Sequence, residues 1–431
     1  MGKLNQALSK ARDFIQRLED LPEDDESPVH PEIMFSIQGE GTVLLGGELA
    51  QGYRETVAKL REAAGKKLFS RHFIESEFRK AIFSGLDLQE KNKDVSFEVR
   101  LKTAIGELRE TLSKLPKTWE VYCQVSGVAS PDEPISFGVV HFVRFDEAER
   151  TTTYKWIAEG LTEALQESTQ KYLGSLGGSG ETVAVVVVQT SDARAAQEFA
   201  LEKLRQTVDV LNFYSDMLET NWDYRVTLPG ETSTDLRVTI VTTPNDRERY
   251  SFMPETVGAK FPLNLKEITS SDPNVSGIDI VQKLLSKQTL NEYEGRLLTA
   301  IQWAGKATVE SRVEESFLYY AIALESLVMP RSAEADIGYR LRLFVPHLLQ
   351  RIEPDKRKVE GDIKRLYNIR SAIVHQGKGD IADTDLRRLR RLTKYAILTM
   401  LTKEPFTTMT KHKDLEDWLQ GQVLGIASAG E

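Results

Sequence analysis

The stretch TVAVVVVQT, residues 182–190, decides the architecture of the N-terminal part of this chain. A continuous run of valines this short is typical of a buried central strand. Asp192, a residue type favoured at helix N-termini, follows at once and leads into the long helical pattern ARAAQEFALEKLRQTVDVLNFYSDM. A strand that runs directly into a helix predicts a domain in which both element types are mixed.

The flanking sequence extends this mixture of helices and strands. Helical periodicity predicts helices over residues 1–21, 51–64 and 98–115, and glycine-punctuated apolar runs predict short strands within 33–45. The segments TWEVYCQVSGV and ISFGVVHFVRF, separated by the turn-forming SPDEP, predict a β-hairpin. We therefore predict a mixed α/β domain over residues 1–275.

Beyond residue 275 the long segments have helical periodicity. The predicted helices cover residues 278–286, 291–308, 311–329, 335–350, 355–375, 383–402 and 413–423. This pattern predicts an all-α bundle over residues 276–431, and an α+β fold for the chain as a whole.

Composition restricts the possible functions. The 431 residues carry a net charge of −9, so a protein that coats nucleic acid indiscriminately is not expected. No apolar run approaches the roughly 20 residues that span a bilayer, and the single cysteine, Cys123, fits a reducing cytoplasm. One cysteine and six widely separated histidines offer no cluster of metal ligands, so we expect neither a metal nor another cofactor.

The charge is unevenly distributed. Residues 331–403 hold 17 Lys and Arg against 9 Asp and Glu, a net charge of +8, which leaves −17 for the rest of the chain. Such a basic segment on an acidic chain predicts either a local anionic ligand or solvated helix faces. The arginines at 387, 388, 390 and 391 lie within it, and they form either an RNA track or a solvated face.

The predicted helix within DKRKVEGDIKRLYNIRSAIVHQGKGD, residues 355–380, contains an anomaly. At about 100° per residue, Arg370 falls in the middle of the apolar stripe that holds Ile363 and Leu366. A guanidinium in that place must be paired, line a cavity or lie at an interface, because an unpaired buried charge is costly. His375 follows in the last turn, just before a glycine that is a candidate C-cap.

A carboxylate on another helix is a candidate partner for this arginine. Glu325 lies at the edge of the apolar stripe of the predicted helix 311–329, and Arg370 and Arg340 are its candidate partners. On spacing alone, an architectural pair with Glu325, with His375 capping the helix, is the favoured interpretation. The alternative is a site at which arginine and histidine act together on a phosphodiester.

The motif Arg370-Ser-Ala-Ile-Val-His375 resembles the R-x4–6-H signature of HEPN domains. Together with RLLTAIQWAGKA, FLYYAIALESLV and DLRRLRRLTKYAILTML, it is similar to the Apea-like branch of that family over residues 280–402. Many family members carry Asn, Asp or His directly after the arginine, where this chain has Ser371. Relative to the family pattern, Ser371 implies a tuned or a reduced activity.

The resemblance implies a helical bundle that forms a homodimer, with two such motifs facing one cleft. It implies a metal-independent endoribonuclease of a toxin–antitoxin or anti-phage system, with Arg370 and His375 catalytic and with tRNA as a candidate substrate. The products would carry 2′,3′-cyclic phosphate and 5′-OH ends. Residues 1–275 would then recognise a trigger or an antitoxin, or select the substrate.

Neighbouring polar residues complete the predicted site. Glu325, Asn368 and Ser371 are expected to support the motif, and Lys378, Arg387 and Arg391 to contact RNA. The alternative function is a non-catalytic RNA-binding or dimerisation module that scaffolds a partner protein.

Overall fold

The computed structural model describes residues 2–21, 31–37, 41–87, 94–146, 166, 182–218, 224–228, 236–243, 246–256, 261–329, 337–377 and 381–426. The chain divides into two compact units, one of residues 1–121 and 187–202, the other of residues 122–186 and 203–431. This grouping differs from the sequence-based division at residue 275, because strands from before that point group with the C-terminal helices. The functional roles predicted for the two segments stay predictions.

The first unit consists of helices and a small hairpin. Its elements are α1 (Gly2–Glu19), β1 (Ile33–Ile37), β2 (Gly41–Leu45), α2 (Gly47–Ala64), α3 (Arg71–Leu86) and α4 (Phe97–Leu112). The predicted helices over 1–21, 51–64 and 98–115 are confirmed by α1, α2 and α4, and β1 pairs antiparallel with β2. An aromatic cluster fills the core, where the Tyr53 ring stacks on Phe78 with 5.6 Å between ring centroids.

The valine-rich strand lies inside a four-stranded sheet. Its strands are β3 (Lys117–Gln124), β4 (Ile135–Phe137), β5 (Val140–Arg144) and β6 (Thr182–Thr190), in the order β3-β6-β5-β4. β6 is thus a central strand, as predicted. The predicted hairpin is wrong, because β6 lies between β3 and β5. β4 and β5 instead pair with each other through a tight turn at Gly138, whose φ of +61° suits glycine.

Asp192 precedes α5 (Ala193–Ser215), the helix that follows the valine-rich strand. Its side chain bonds to the start of this helix and to the start of a second one. Its carboxylate accepts hydrogen bonds from the backbone N–H of Ala195 at 2.9 Å and from that of Ser70 at 2.8 Å. The Ser70 hydroxyl in turn caps α3 by accepting from the Phe73 N–H. One buried carboxylate therefore satisfies donors at the starts of two helices, both in the first unit.

We expect Asp192→Ala to destabilise the first unit by about 2–4 kcal/mol, because it removes a helix cap and leaves a buried Ser70 donor without an acceptor. Denaturant unfolding measured by circular dichroism checks this value. Asp192→Asn is the matched control. Its amide oxygen still accepts one hydrogen bond, so this variant should lose only about half as much free energy of unfolding as Asp192→Ala. If both variants lost only a small and equal free energy of unfolding, the structural role assigned to this carboxylate would be contradicted.

The second unit contains the C-terminal helices. They are α6 (Leu265–Thr269), α7 (Pro273–Ser276), α8 (Ile278–Ser286), α9 (Glu292–Val309), α10 (Val313–Val328), α11 (Ile337–Leu348), α12 (Lys356–Gln376), α13 (Asp383–Thr402) and α14 (His412–Leu424). An antiparallel pair, β7 (Leu236–Thr243) and β8 (Asp246–Thr256), precedes them.

The helices predicted after residue 275 are confirmed, with each boundary within two residues. α9 packs along α10, α11 along α12, and α13 against α10. The α+β fold, with a mixed N-terminal part followed by helices, is therefore confirmed. Among the residues described above, no helix is both long and apolar enough to cross a membrane.

Candidate functional site

Helix α12 carries the arginine–histidine motif and has well-defined ends. Asp355 accepts a hydrogen bond from the Lys358 N–H at 3.0 Å, and the helix ends at Gly377, which has a φ of +64°. Val359, Ile363 and Leu366 are buried, whereas residues 367–376 are all half-buried or exposed. The C-terminal half of this helix, which holds the motif, is therefore less buried in the core than the N-terminal half.

Arg370 is paired with the carboxylate that the sequence indicated. Its Nε lies 3.1 Å from Oε1 of Glu325, and the two side chains are 21% and 15% exposed. These two atoms are not aligned as a hydrogen bond, so the contact is an ion pair with poor hydrogen-bond geometry. The guanidinium also lies 5.8 Å from the centroid of the Tyr367 ring, within cation–π range. Arg340 instead bonds Glu416 at 2.7 Å.

The protonation of Glu325 depends on both its burial and its partner Arg370. Burial raises the pKa of this carboxyl, and the guanidinium of Arg370 opposes that rise. A cavity of about 20 Å³, room for one water molecule, adjoins both side chains, Tyr367 and Leu389. Arg370 is thus held beside a small opening and keeps part of its surface accessible.

His375 occupies a different environment, because it is exposed in the last turn of α12. Within the part of the chain that the structure describes, no hydrogen bond or ion pair of His375 is found. The C-terminal turn is closed by the Gly377 N–H, which donates to the Ile373 carbonyl at 3.1 Å. The alternative in which His375 serves as a cap therefore receives no support from these contacts.

The helix geometry separates the two motif side chains. Five residues of an α-helix correspond to about 500° of rotation, so Arg370 and His375 leave the axis about 140° apart and roughly 7.5 Å apart along it. A phosphodiester that contacts both must lie across the end of the helix, or groups from two protomers must combine.

Two of the three predicted supporting residues, Asn368 and Ser371, lie on α12 itself. Asn368 is exposed and lines an open groove of about 450 Å³ that also has Arg365 and Ile369 on its walls. Ser371 is half-buried. Asn368 is therefore accessible to a ligand, while Ser371 follows the arginine at a less open position.

The arginines of α13 divide into anchored and open residues. Arg388 is largely buried, and it donates to Glu353 at 2.7 Å and to Asp362 at 2.8 Å. Arg390 is anchored by the buried carboxylate of Asp216. This part of the predicted RNA track is therefore structural.

Arg387 and Arg391 are the exposed members of the same set. They share a groove of about 360 Å³ with Lys394 and Tyr395, and Arg391 also contacts Glu353. The guanidinium of Arg391 lies 5.7 Å from the centroid of the Tyr395 ring. Lys378, the third predicted RNA contact, lies outside the described residues.

The ion pairs of Glu353 make a contribution to folding stability that depends on pH. Hydrogen bonds from Arg388, and secondarily from Arg391, lower the pKa of Glu353 from 4.5 to about 2. The unfolded chain binds this proton near pH 4.5 and the folded protein only near pH 2, so the contribution is complete above 4.5 and is lost between 4.5 and 2. We expect a loss on the order of 3 kcal/mol, and Glu353→Gln should flatten the measured slope of stability against pH.

The control for this measurement is Glu315→Gln, which removes the carboxylate of a surface pair with Arg312. Such exposed pairs contribute about 0–1 kcal/mol, so the slope between pH 2 and 4.5 should stay as in the unmodified protein. A steep slope retained by Glu353→Gln would refute the assignment.

Sequence reasoning missed the partners of the α13 arginines. Asp216 and Glu353 come from other segments, and Lys394 and Tyr395 were not singled out although they continue the face of Arg387 and Arg391 at helical spacing. That spacing is the signal that could have found the last two. No group of three or more potential metal ligands occurs in the described ranges.

The arrangement thus consists of a half-buried ion pair, an accessible imidazole and a basic groove on the neighbouring helix. The resemblance to HEPN domains rests on the motif and its flanking segments, and it stays a prediction. Comparisons with protein-family models, with curated proteins and with solved structures found no match to this chain.

Proposed function

We propose that this protein is a metal-independent endoribonuclease of the HEPN type, acting as a toxin or anti-phage effector in the cytoplasm. The observation that carries the proposal is the end of α12. There Arg370 is held by Glu325 with part of its surface open, and His375 follows five residues later in an exposed position. An immobilised guanidinium and an accessible imidazole are groups that can cleave a phosphodiester without a metal.

The proposed reaction uses the ribose itself as the source of the nucleophile. A base removes the 2′-OH proton, and the 2′ oxygen attacks the adjacent phosphorus. The bond from phosphorus to the 5′ oxygen breaks, and that oxygen takes up a proton. His375 serves as the base or as the acid, and Arg370 neutralises the charge that builds on the phosphorane oxygens. DNA lacks the 2′-OH and is therefore not a substrate.

The proposed assembly is a homodimer built through the helical bundle. Two observations support it: the motif residues diverge by about 140° on one helix, and the C-terminal half of α12 leaves apolar side chains uncovered. Val374 is 49% exposed, and Ile369, Ala372 and Ile373 are half-buried. A second copy that covers this face would bring two motifs together. Sedimentation is expected to give twice the chain mass of 48.6 kDa.

RNA is proposed to extend from the motif to the basic groove. Arg387 and Arg391 are exposed there and have the charge to hold phosphates, with Lys378 as a third contact and Asn368 beside the motif. Residues 1–275 are proposed to receive a trigger or an antitoxin, or to select the RNA. tRNA is the candidate substrate.

The test is incubation of the purified full-length protein with total tRNA in the presence of EDTA. Discrete fragments are expected, and the same fragments should form when Mg²⁺ replaces EDTA. The control is the same RNA with heat-inactivated protein. Intact tRNA together with intact mRNA, both at protein concentrations that give a dimer, would contradict the proposed activity.

A second candidate function is a non-catalytic RNA-binding or dimerisation module that scaffolds a partner protein. The observation that favours it is the ion pair itself, because Glu325 already neutralises the arginine that would have to meet phosphate. In that case RNA binds to Arg387 and Arg391, and no cyclic phosphate forms. Binding measured by fluorescence anisotropy, without any fragment on a gel, would favour this function over cleavage.

A further inference from the structure

A second cationic pocket lies between α11 and the first turns of α12, lined by residues different from those around Arg370. It has a volume of about 230 Å³, and its walls include Tyr339 and Arg342 on one helix and Lys356, Arg357 and Glu360 on the other. Both helices belong to the second unit, and α11 packs along α12. The pocket walls therefore lie on two helices that pack against each other.

Cations exceed carboxylates in this pocket. Glu360 accepts two hydrogen bonds from Arg342, at 3.1 Å from Nε and 2.6 Å from Nη2, so its charge is already balanced. Lys356 and Arg357 remain as two further positive charges. Among the described residues, no carboxylate is within ion-pair distance of either of them, which leaves the pocket with an excess charge of about +2.

Lys356 is held by a neutral partner in place of an acid. Its Nζ lies 3.0 Å from Nδ1 of His347. An ammonium carries only donors, so this ring nitrogen must accept and the imidazole must be uncharged. Burial and the adjacent Lys356 both lower the pKa of His347, consistent with that state. The lysine is thus positioned without being neutralised.

The neighbouring sequence adds to the charge imbalance. Lys356, Arg357 and Lys358 are consecutive, and the first turn of α12 contains no acidic residue. Like charges this close repel one another. A dianion bound by Lys356 and Arg357 removes the repulsion between these two side chains and gains charge-assisted hydrogen bonds. The exposed ring of Tyr339, 59% accessible, forms an apolar wall beside these cations.

We propose that this α11–α12 pocket is a binding site for a phosphate monoester. Lys356 and Arg357 bind the dianionic phosphate, and the organic part of the ester packs against Tyr339. The pocket volume fits a phosphate with a small attached group. The same chemistry occurs in a free sugar phosphate and in the 5′-phosphate of an RNA chain, and the proposal does not depend on the nuclease activity.

Calorimetric titration of the full-length protein at low salt tests the site. The probes are ribose 5-phosphate, unphosphorylated ribose, and one short RNA with either a 5′-phosphate or a 5′-OH. Ribose 5-phosphate is expected to bind at least about tenfold more tightly than ribose, because the charged hydrogen bonds are worth more than one factor of ten. A preference for the 5′-phosphorylated RNA over ribose 5-phosphate would identify an RNA end as the source, and the reverse order a free metabolite.

Lys356→Ala is expected to weaken ribose 5-phosphate binding about tenfold or more, and Arg357→Ala several-fold. The matched control is Lys358→Ala, which removes the same charge from the same turn but lies outside the pocket lining. It should change the affinity by less than about twofold. Equal losses in Lys358→Ala and Lys356→Ala, or no phosphate-dependent binding by the unmodified protein, would overturn the proposal. Neither result would affect the nuclease assay.

Discussion

Alanine at Arg370 is expected to lower the rate of RNA cleavage by about 10²–10³-fold, and alanine at His375 by about 10²–10⁴-fold. Removing a proton-transfer group typically costs about 10²–10⁴ in rate, and removing a donor that stabilises developing charge costs about 10²–10³. Arg370→Lys should recover only a small part, because an ammonium cannot hold two phosphate oxygens in a planar fork. Rates measured on a single labelled RNA under single-turnover conditions give these values directly.

The two variants differ in how they affect the fold. Arg370→Ala leaves Glu325 in a site where burial already raises its pKa, so we expect a loss of about 3–5 kcal/mol of stability. The double variant Arg370→Ala with Glu325→Gln removes that unpaired charge and should restore most of the stability but none of the activity. His375 is exposed, so His375→Ala should lose activity with an unchanged melting temperature.

His72→Ala is the matched control for the histidine, because His72 is also exposed on a helix but lies in the first unit. It should cleave at the rate of the unmodified protein. Full activity in His375→Ala, or the same loss in His72→Ala, would assign the chemistry to other groups.

Alanine at Gly305 is expected to prevent stable folding of the second unit. A Cβ at this position of α9 would lie 1.8 Å from the backbone carbonyl oxygen of Asp209 in α5, and 2.6 Å from its carbonyl carbon. Backbone atoms inside two packed helices cannot move aside like the end of a flexible side chain, so the helices must separate. We expect a loss of more than about 4 kcal/mol, seen as insoluble protein or a strongly lowered melting temperature.

Gly295→Ala is the control on the same helix, since a Cβ there meets nothing within 4 Å. Alanine has the higher helix propensity, so this variant should gain about 0.5–1 kcal/mol in the free energy of unfolding. The contrast of sign between two identical substitutions on α9 is the result that the packing predicts. A soluble Gly305→Ala protein with an unchanged melting temperature would show that α9 and α5 do not approach this closely.

The C-terminal helices could be predicted closely because their signals are local. Asn291 and Glu294 form a capping box at the start of α9, and Asp355 and Gly377 mark the two ends of α12. These residues satisfy backbone groups within one turn, so the sequence near each end is sufficient.

Helix α3 was not predicted because its apolar residues are not confined to one stripe. Ile74, Phe78, Ala81 and Ile82 share one face at about 100° per residue, but Phe83 is buried on the opposite face, so the periodicity is weak. The prediction of the strand that pairs with β3 was wrong for another reason. Its neighbour β6 is distant in sequence, and strand propensity does not specify a partner.

The site could be predicted only in part. The pairing of Arg370 with Glu325 followed from two charges placed on apolar stripes, since each needed a counter-charge. The division of the α13 arginines into anchored and exposed residues could not be predicted. Arg388 and Arg390 are anchored by carboxylates from other segments, Glu353 and Asp216. Spacing along one helix indicates which residues share a face, but it does not show what covers that face.

The most direct test of the proposed chemistry is the identity of the ends that the protein produces. Mass spectrometry of a synthetic RNA cleaved in EDTA should show a 2′,3′-cyclic phosphate on one fragment and a 5′-OH on the other. An otherwise identical RNA with a single 2′-deoxy nucleotide at the cleavage site should remain intact there. Fragments with 3′-OH and 5′-phosphate ends, or unchanged cleavage of the 2′-deoxy substrate, would contradict a reaction in which Arg370 and His375 act on the ribose 2′-OH and its phosphodiester.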